Sequence, residues 1–513
     1  MRPDPIPQKQ YDIAIIGGGI NGVGIARDAA GRGLKTVLFE RDDLASGTSS
    51  ASTKLIHGGL RYLEHYDFAL VRKALAEREV MLGIAPHLVS QLNFVLPHIP
   101  AMRPLWMVRL GLFLYDHMGG RKRLPESRAL ALHGDKAGEP LQDQYSRGFE
   151  YADCRGDDAR LVVANAVDAN RLGADIYVRM EVRALSRDNG QWHIQAQGQA
   201  GEKFACRARA VVNAAGPWAG RFVENAVGEA SPRCLRLVKG SHIVVPRLYN
   251  HDRAYLFQME DGRIIFAIPY EEDFTLIGTT DVDFDGDPTG VAISSQEISY
   301  LCDGVNQYFK TPIGPQNVVW SYAGVRPLID ESNASAASAS RGYELVVEGS
   351  ENAAPLLHVF GGKLTTYRLL AKEVMARLGA FFPDMGAPWT GSASLPGGGF
   401  APEEFEDLVR DFSVRYDFLT PRDHRRMMRA YGLDAFAMLG AAKTVGDLGR
   451  DFGHGLYERE LRWMVDREWA RTKDDVLWRR SKLGLRFDDA QKQALEDWFM
   501  LPDSNPSIPE RWC

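Results

Sequence analysis

The chain is short of several things, and each shortage removes a class of explanation. Only five of its 513 residues are cysteine: Cys154, Cys206, Cys234, Cys302 and Cys513. They are scattered, odd in number and without a C-x-x-C pair. That excludes a disulfide framework and a cysteine-rich metal site, and it suits a reducing cytoplasm. No apolar run reaches the roughly 20 residues needed to cross a bilayer, and the longest candidate, Leu105–Tyr115, is broken by Arg109. No secretory segment is visible either, because the opening MRPDPIPQKQ has no apolar core and reads as a lead-in to the first strand. Positive charge is not in excess, with 61 Lys and Arg against 67 Asp and Glu, so nothing points to a nucleic-acid partner. What remains is a chain that is 45% hydrophobic and long enough for two or three domains.

Glycine, by contrast, is placed with purpose. Ile13-Ala14-Ile15-Ile16 is short and apolar, as a buried parallel strand is. Gly17, Gly19 and Gly22 follow at G-x-G-x-x-G spacing, then an alanine-rich helical stretch to Arg32, Gly33 to end it, and a second strand Thr36–Phe39. In a strand–turn–helix with this spacing, glycines bring backbone close to a pyrophosphate and the helix N-terminus offers amides to it. Glu40, at the end of the second strand, is positioned to accept hydrogen bonds from an adenosine ribose. The reading is an adenine dinucleotide site, NAD or FAD.

Further along, Ser46–Thr53 is rich in hydroxyls and includes Ser49, Ser50 and Thr53; it is suited to wrap a pyrophosphate or flavin, or to be a polar linker. His57-Gly58-Gly59-Leu60-Arg61-Tyr62 comes next, then Phe68–Leu82, whose periodicity predicts an amphipathic surface helix. Residues 97–125 interleave Arg103, Arg109, Arg121, Lys122 and Arg123 with Met102, Trp106, Met107, Phe113 and Tyr115. This fits an interfacial membrane helix or, equally, a core-packed helix with exposed arginines. Asp157–Leu172 reads as a helix, Trp192–Gln197 and Lys203–Val212 as a hairpin, and Val211–Pro217 as a buried strand ending in small residues at Gly216. From Cys234 to about Ile313 short aromatic-rich strands predict an antiparallel sheet. A Ser/Ala-rich stretch, 331–342, predicts a surface loop. A second strand–Gly-Gly–helix unit spans Leu356–Arg368 and includes Gly361, Gly362, Lys363, Leu364 and Thr365, and the remainder is helical.

The stretches IIGGGINGVGIARDAAGRG, TSSASTKLIHGGLRYLEHYDFALV, KGSHIVVP, IGTTD, AGVRPL and VFGGKLTTYR closely resemble the FAD-dependent, quinone-linked glycerol-3-phosphate dehydrogenases of the D-amino-acid-oxidase-like superfamily. The resemblance runs from about residue 11 to 395 and implies FAD as cofactor. It implies an α/β fold: a Rossmann-type FAD-binding domain (1–95, 150–235 and 320–390), an antiparallel-sheet substrate domain (96–149 and 236–319) and a C-terminal α-helical domain (391–513). It also implies oxidation of sn-glycerol 3-phosphate to dihydroxyacetone phosphate, with electrons passed to a membrane quinone. The expected location is cytoplasmic, peripheral on the inner face of the membrane, and a homodimer is among the expectations. The substrate site it implies is Arg61, Tyr62, His242, Arg326 and Lys363. Arg61 and Arg326 are assigned to phosphate and substrate oxygens, His242 to general base, and Lys363 to the flavin or the C2 oxygen. Gly17, Gly19, Gly22, Glu40, Ser49, Ser50, Thr53, Gly216 and Gly361–Thr365 are expected to hold the cofactor. Alternatives are a soluble oxidase that uses O2, an FAD amine or amino-acid oxidase, and a non-catalytic flavoprotein. Three cations suit a phosphate better than a single carboxylate.

Overall fold

The computed structural model describes residues 9–60, 63, 67–98, 103–120, 123–329, 342–349 and 353–501. Two sheets dominate. In the first, five parallel strands lie in the order Leu356–Gly361, Lys203–Asn213, Lys9–Ile16, Thr36–Phe39 and Asp175–Tyr177. Tyr343–Glu348 adds an antiparallel edge, and the hairpin expected around Trp192–Val212 forms where Gln191–Gly198 pairs with the start of Lys203–Asn213. The apolar runs are continuous because both faces are covered: every residue of Thr36–Phe39 is buried. Helices Ile20–Gly31, Asp158–Arg171 and Tyr367–Arg377 pack together through Val23, Leu161, Val162, Leu370 and Val374 in one core with the sheet.

The second sheet has ten strands and is antiparallel except where Ala254–Gln258 runs parallel to Val89–His98. At its centre Leu235–Pro246 lies between Phe274–Gly278 and Trp320–Ile329. Val89–His98 and Arg147–Gly156, read as no element in the sequence, pair over their whole length here.

One helix departs from expectation, and a second combines features of both alternatives. Phe68–Ile84 is not the surface helix its periodicity predicts, for it buries Glu77, Arg78 and Glu79. Those charges are satisfied internally: Arg78 donates to Asp153 at 2.6 Å and Arg368 donates to Glu77 at 2.8 Å. A charged position therefore marks an internal ion pair as readily as a wet face. Leu105–Met118 buries Leu112 and Tyr115 but turns Trp106, Met107, Leu110, Phe113 and Leu114 outward, with Trp106 66% exposed. Arg109 is exposed as well and donates to the carbonyl of Ser127 at 2.8 Å. Among the described residues no helix is long and apolar enough to cross a membrane. All but Gly342 of the stretch 331–342 falls outside the described residues.

The C-terminal part is helical as expected. Phe405–Arg415, Pro421–Tyr431, Glu458–Glu468 and Asp489–Phe499 enclose a core of their own around Phe412, Met427, Leu461 and Leu495.

Candidate active site

A cavity of about 1110 Å³ lies where both sheets and the C-terminal helices meet. It exceeds the roughly 300–1,000 Å³ of ordinary small-molecule pockets. One end is the glycine motif. Gly19 caps the Ile20–Gly31 helix, whose first amide, that of Ile20, donates to Ser49 Oγ at 3.0 Å. Gly22 sits one layer below the cavity, and a Cβ there would lie 1.9 Å from the Gly17 carbonyl oxygen. Only glycine allows the helix this close to the turn. Asn21 reaches across to donate to the Gly361 carbonyl at 3.2 Å, joining the two glycine-rich turns along one edge.

Glu40 accepts from the amides of Gly18 at 2.6 Å and Asp42 at 2.8 Å. Burial pushes its carboxyl up to about 7, against the pull of those two donors. Each carboxylate oxygen has a further lone pair for a ribose hydroxyl. A helix start, a carboxylate, a hydroxyl-rich loop and a long cavity fit a dinucleotide such as FAD. Gly17, Gly19, Glu40, Ser49, Ser50, Thr53, Gly216, Gly361, Gly362, Lys363, Leu364 and Thr365 all line the cavity. Among the described residues no cluster could hold a metal ion.

The other end rests on the antiparallel sheet. Arg326 lines the cavity, ion-paired to Asp281 through Nη1 and donating from Nη2 to Thr279 Oγ1 at 2.8 Å. Its counter-ion and Thr279 hold the guanidinium in place against the cavity wall. His242, directly across the strands from Gly278 and Tyr322, is 1% exposed and is not part of the lining. Its ring lies over Gly278, where a Cβ would come within 2.0 Å of Cδ2, and stacks on Tyr322 with centroids 4.8 Å apart. Its Nε2 is 2.9 Å from Thr53 Oγ1. Burial, reinforced by the positive charges of Arg326 and Lys54, holds the imidazole well below its usual pKa and hence neutral.

Of the residues singled out in the sequence, the structure thus brings Arg326, Lys363 and the cradle residues to one cavity and sets His242 just behind it. Arg61 and Tyr62 lie outside the described residues. Sequence reasoning assigned no role to Thr279, Asp281, Lys54, Asp158 or Tyr322. Lys54 is buried and bonded to Asp158 at 2.9 Å, and burial lowers its pKa against that partner's pull. The IGTTD and STKLIHGG stretches contained the signal for Thr279, Asp281 and Lys54; nothing in the sequence marked Asp158 or Tyr322 as their partners. The C-terminal part was also missed as a wall of the cavity, to which it gives Asp474, Trp478 and Arg479. Trp478 stacks on Trp320 at 4.3 Å, and Arg479 and Arg480 both pair with Asp43, beyond Glu40.

Residues 12–368 match the family described as FAD dependent oxidoreductase, and residues 389–501 match the C-terminal domain of alpha-glycerophosphate oxidase. Glycerol-3-phosphate dehydrogenase of Pseudomonas aeruginosa is 49% identical over 97% of this chain and 96% of its own length. D-erythritol 1-phosphate dehydrogenase of Brucella abortus is also 49% identical, over 95% of this chain and 97% of its own. The crystal structure of glycerol-3-phosphate dehydrogenase from Bacillus halodurans complexed with FAD superposes with a TM-score of 0.73 at 26% identity, covering 95% of this chain and 93% of that one. With a family match across most of its length and the dinucleotide cradle in place, the chain belongs to the FAD-dependent oxidoreductases.

Proposed function

We propose that this protein oxidises sn-glycerol 3-phosphate to dihydroxyacetone phosphate and passes the electrons to a membrane quinone. The observation that carries the reading is the shared cavity: a dinucleotide cradle, with Lys363 and Thr53 on its wall, opens onto Arg326 and the His242 ring behind Thr53. Two close relatives named for polyol-phosphate oxidation support the substrate class. Bound FAD supplies the two-electron acceptor. Arg326, which lines the cavity and is oriented by Asp281 and Thr279, offers its positive charge to the substrate's oxygens. Lys363, at the mouth of a one-turn helix, polarises the reacting oxygen or offsets charge on the reduced cofactor. Neutral His242 receives the hydroxyl proton.

The membrane half of the reading rests on the Leu105–Met118 helix, whose outward Trp106, Leu110 and Phe113 suit the headgroup boundary of the cytoplasmic membrane's inner face. Anaerobic mixing with glycerol 3-phosphate tests the first half, since the oxidised flavin absorbance should bleach within the turnover time; flavin that stays oxidised ends the proposal. Acceptor comparison tests the second half: O2 outcompeting ubiquinone analogues would favour an oxidase.

D-erythritol 1-phosphate is a second reading, favoured by a relative of equal identity named for that substrate. The ratio of kcat/KM for the two phosphates decides between them.

A further inference from the structure

We propose that Thr53 is a catalytic proton relay between the substrate's reacting hydroxyl and His242, an inference that rests on the polyol-phosphate reading above. Thr53 lines the cavity, whereas His242 is 1% exposed and lies behind the lining. Oγ1 of Thr53 and Nε2 of His242 stand 2.9 Å apart, the distance of a made hydrogen bond. A proton leaving a molecule in the cavity therefore reaches the ring by way of this hydroxyl.

The segment that presents Thr53 is held on both sides. Ser52 Oγ donates to Asp158 at 2.7 Å, and Tyr322 OH donates to the Ser52 carbonyl at 2.7 Å. Lys54 Nζ donates to Asp158 at 2.9 Å and to the Ser50 carbonyl at 3.0 Å. Lys54 has a φ of 59°, a left-handed conformation uncommon for a residue with a side chain, and this buried ion pair holds it there. The ring that faces Thr53 is fixed in turn by Gly278 beneath and Tyr322 alongside. Such clamping is what a relay requires, since a proton is passed on only if donor and acceptor wait at hydrogen-bond distance.

A hydroxyl accepts one proton while giving up another. Bound FAD, held by the cradle, would take up the hydrogen and both bonding electrons of the C2–H bond. The hydroxyl proton passes to Thr53 Oγ1, the proton of Thr53 passes to His242 Nε2, and the C–O bond becomes C=O. Thr53 ends unchanged and His242 ends as imidazolium, to be discharged to solvent before the next turnover.

Thr53→Val removes the hydroxyl and keeps the shape, while Thr53→Ser keeps the hydroxyl. In Thr53→Val, single-turnover reduction of the flavin that is bound should slow by about 10²-fold, with KM little changed, and Thr53→Ser should restore most of the rate. Independently of turnover, the ¹⁵N resonance of His242 Nε2 should shift in Thr53→Val and hold its place in Thr53→Ser. Thr53→Val reducing flavin at the wild-type rate overturns the relay alone, and so does Thr53→Ser as slow as Thr53→Val. Wild-type flavin left oxidised by both polyol phosphates removes the functional reading and the relay together.

Discussion

In the parallel sheet the functional groups are mostly backbone, gathered between Gly17 and Glu40; in the antiparallel sheet they are side chains brought together from distant strands. The proposed cradle relies on absence of bulk: with no Cβ intervening, its amides and carbonyls are open to the cavity. The end proposed for catalysis is built by cross-strand stacking, with His242 wedged among Gly278, Tyr322 and a threonine 189 residues away in the chain. A change in the first region should therefore cost the cofactor, and a change in the second should cost the chemistry while the cofactor stays.

The sharpest test of that division is a pair of glycine substitutions. Gly22→Ala places a methyl 1.9 Å from the Gly17 carbonyl, so the turn must open, and the purified protein should show no flavin absorbance. Gly278→Ala places one 2.0 Å from the His242 ring and should leave the flavin bound. It should slow single-turnover bleaching as His242→Ala does, by a factor on the order of 10² to 10⁴. Normal flavin content in the first, or lost flavin in the second, would break the comparison.

Next in size is Arg326→Ala. Losing a charge-assisted hydrogen bond to substrate, worth about 1.5–3 kcal/mol, should raise KM by about 10- to 100-fold with FAD retained; an unchanged KM removes Arg326 from substrate binding.

A smaller, third effect belongs to Glu40→Gln. It keeps an acceptor oxygen but replaces the other, so FAD affinity should fall by about fivefold, near 1 kcal/mol, and kcat at saturating FAD should not move. A lower kcat would mean the two regions are less separate than their geometry suggests.

The smallest expected effect is a flat one. Because burial and the nearby Arg326 and Lys54 hold His242 neutral, with Asp158 and Asp281 as those cations' own partners, its base form persists well below the usual histidine range. The pH profile of kcat at saturating substrate should run level through 6.5. An acid limb at that pH, absent from His242→Gln, would show an imidazole that titrates freely.

The same contrast explains what the sequence disclosed. The helix and second strand around Gly17, Gly19 and Gly22 could be placed to within a residue or two, since the glycine spacing marks the turn locally, while the first strand begins four residues earlier than its apolar run. The aromatic short strands revealed an antiparallel sheet but not its register, and register is what sets His242 opposite both Gly278 and Tyr322. The Phe68–Leu82 stretch misled in the other direction: it was read as a surface helix, yet its Arg78 pairs with Asp153, 75 residues on, where no local signal reaches. The glycine at Gly278 was visible as a letter in IGTTD, but its purpose, to leave room for a ring from the next strand, exists only in three dimensions.

Arg479 and Arg480, from the last quarter of the chain, close on Asp43, three residues beyond the carboxylate placed for the ribose. Whatever binding energy the cofactor gains from a firmly seated Asp43 loop, the C-terminal helices must receive back as resistance to unfolding, because linkage is reciprocal. The tail is then a reporter as much as a wall: the temperature at which a protease first cuts it should rise with FAD concentration, and the dose at half effect should read out FAD affinity without any measurement of turnover.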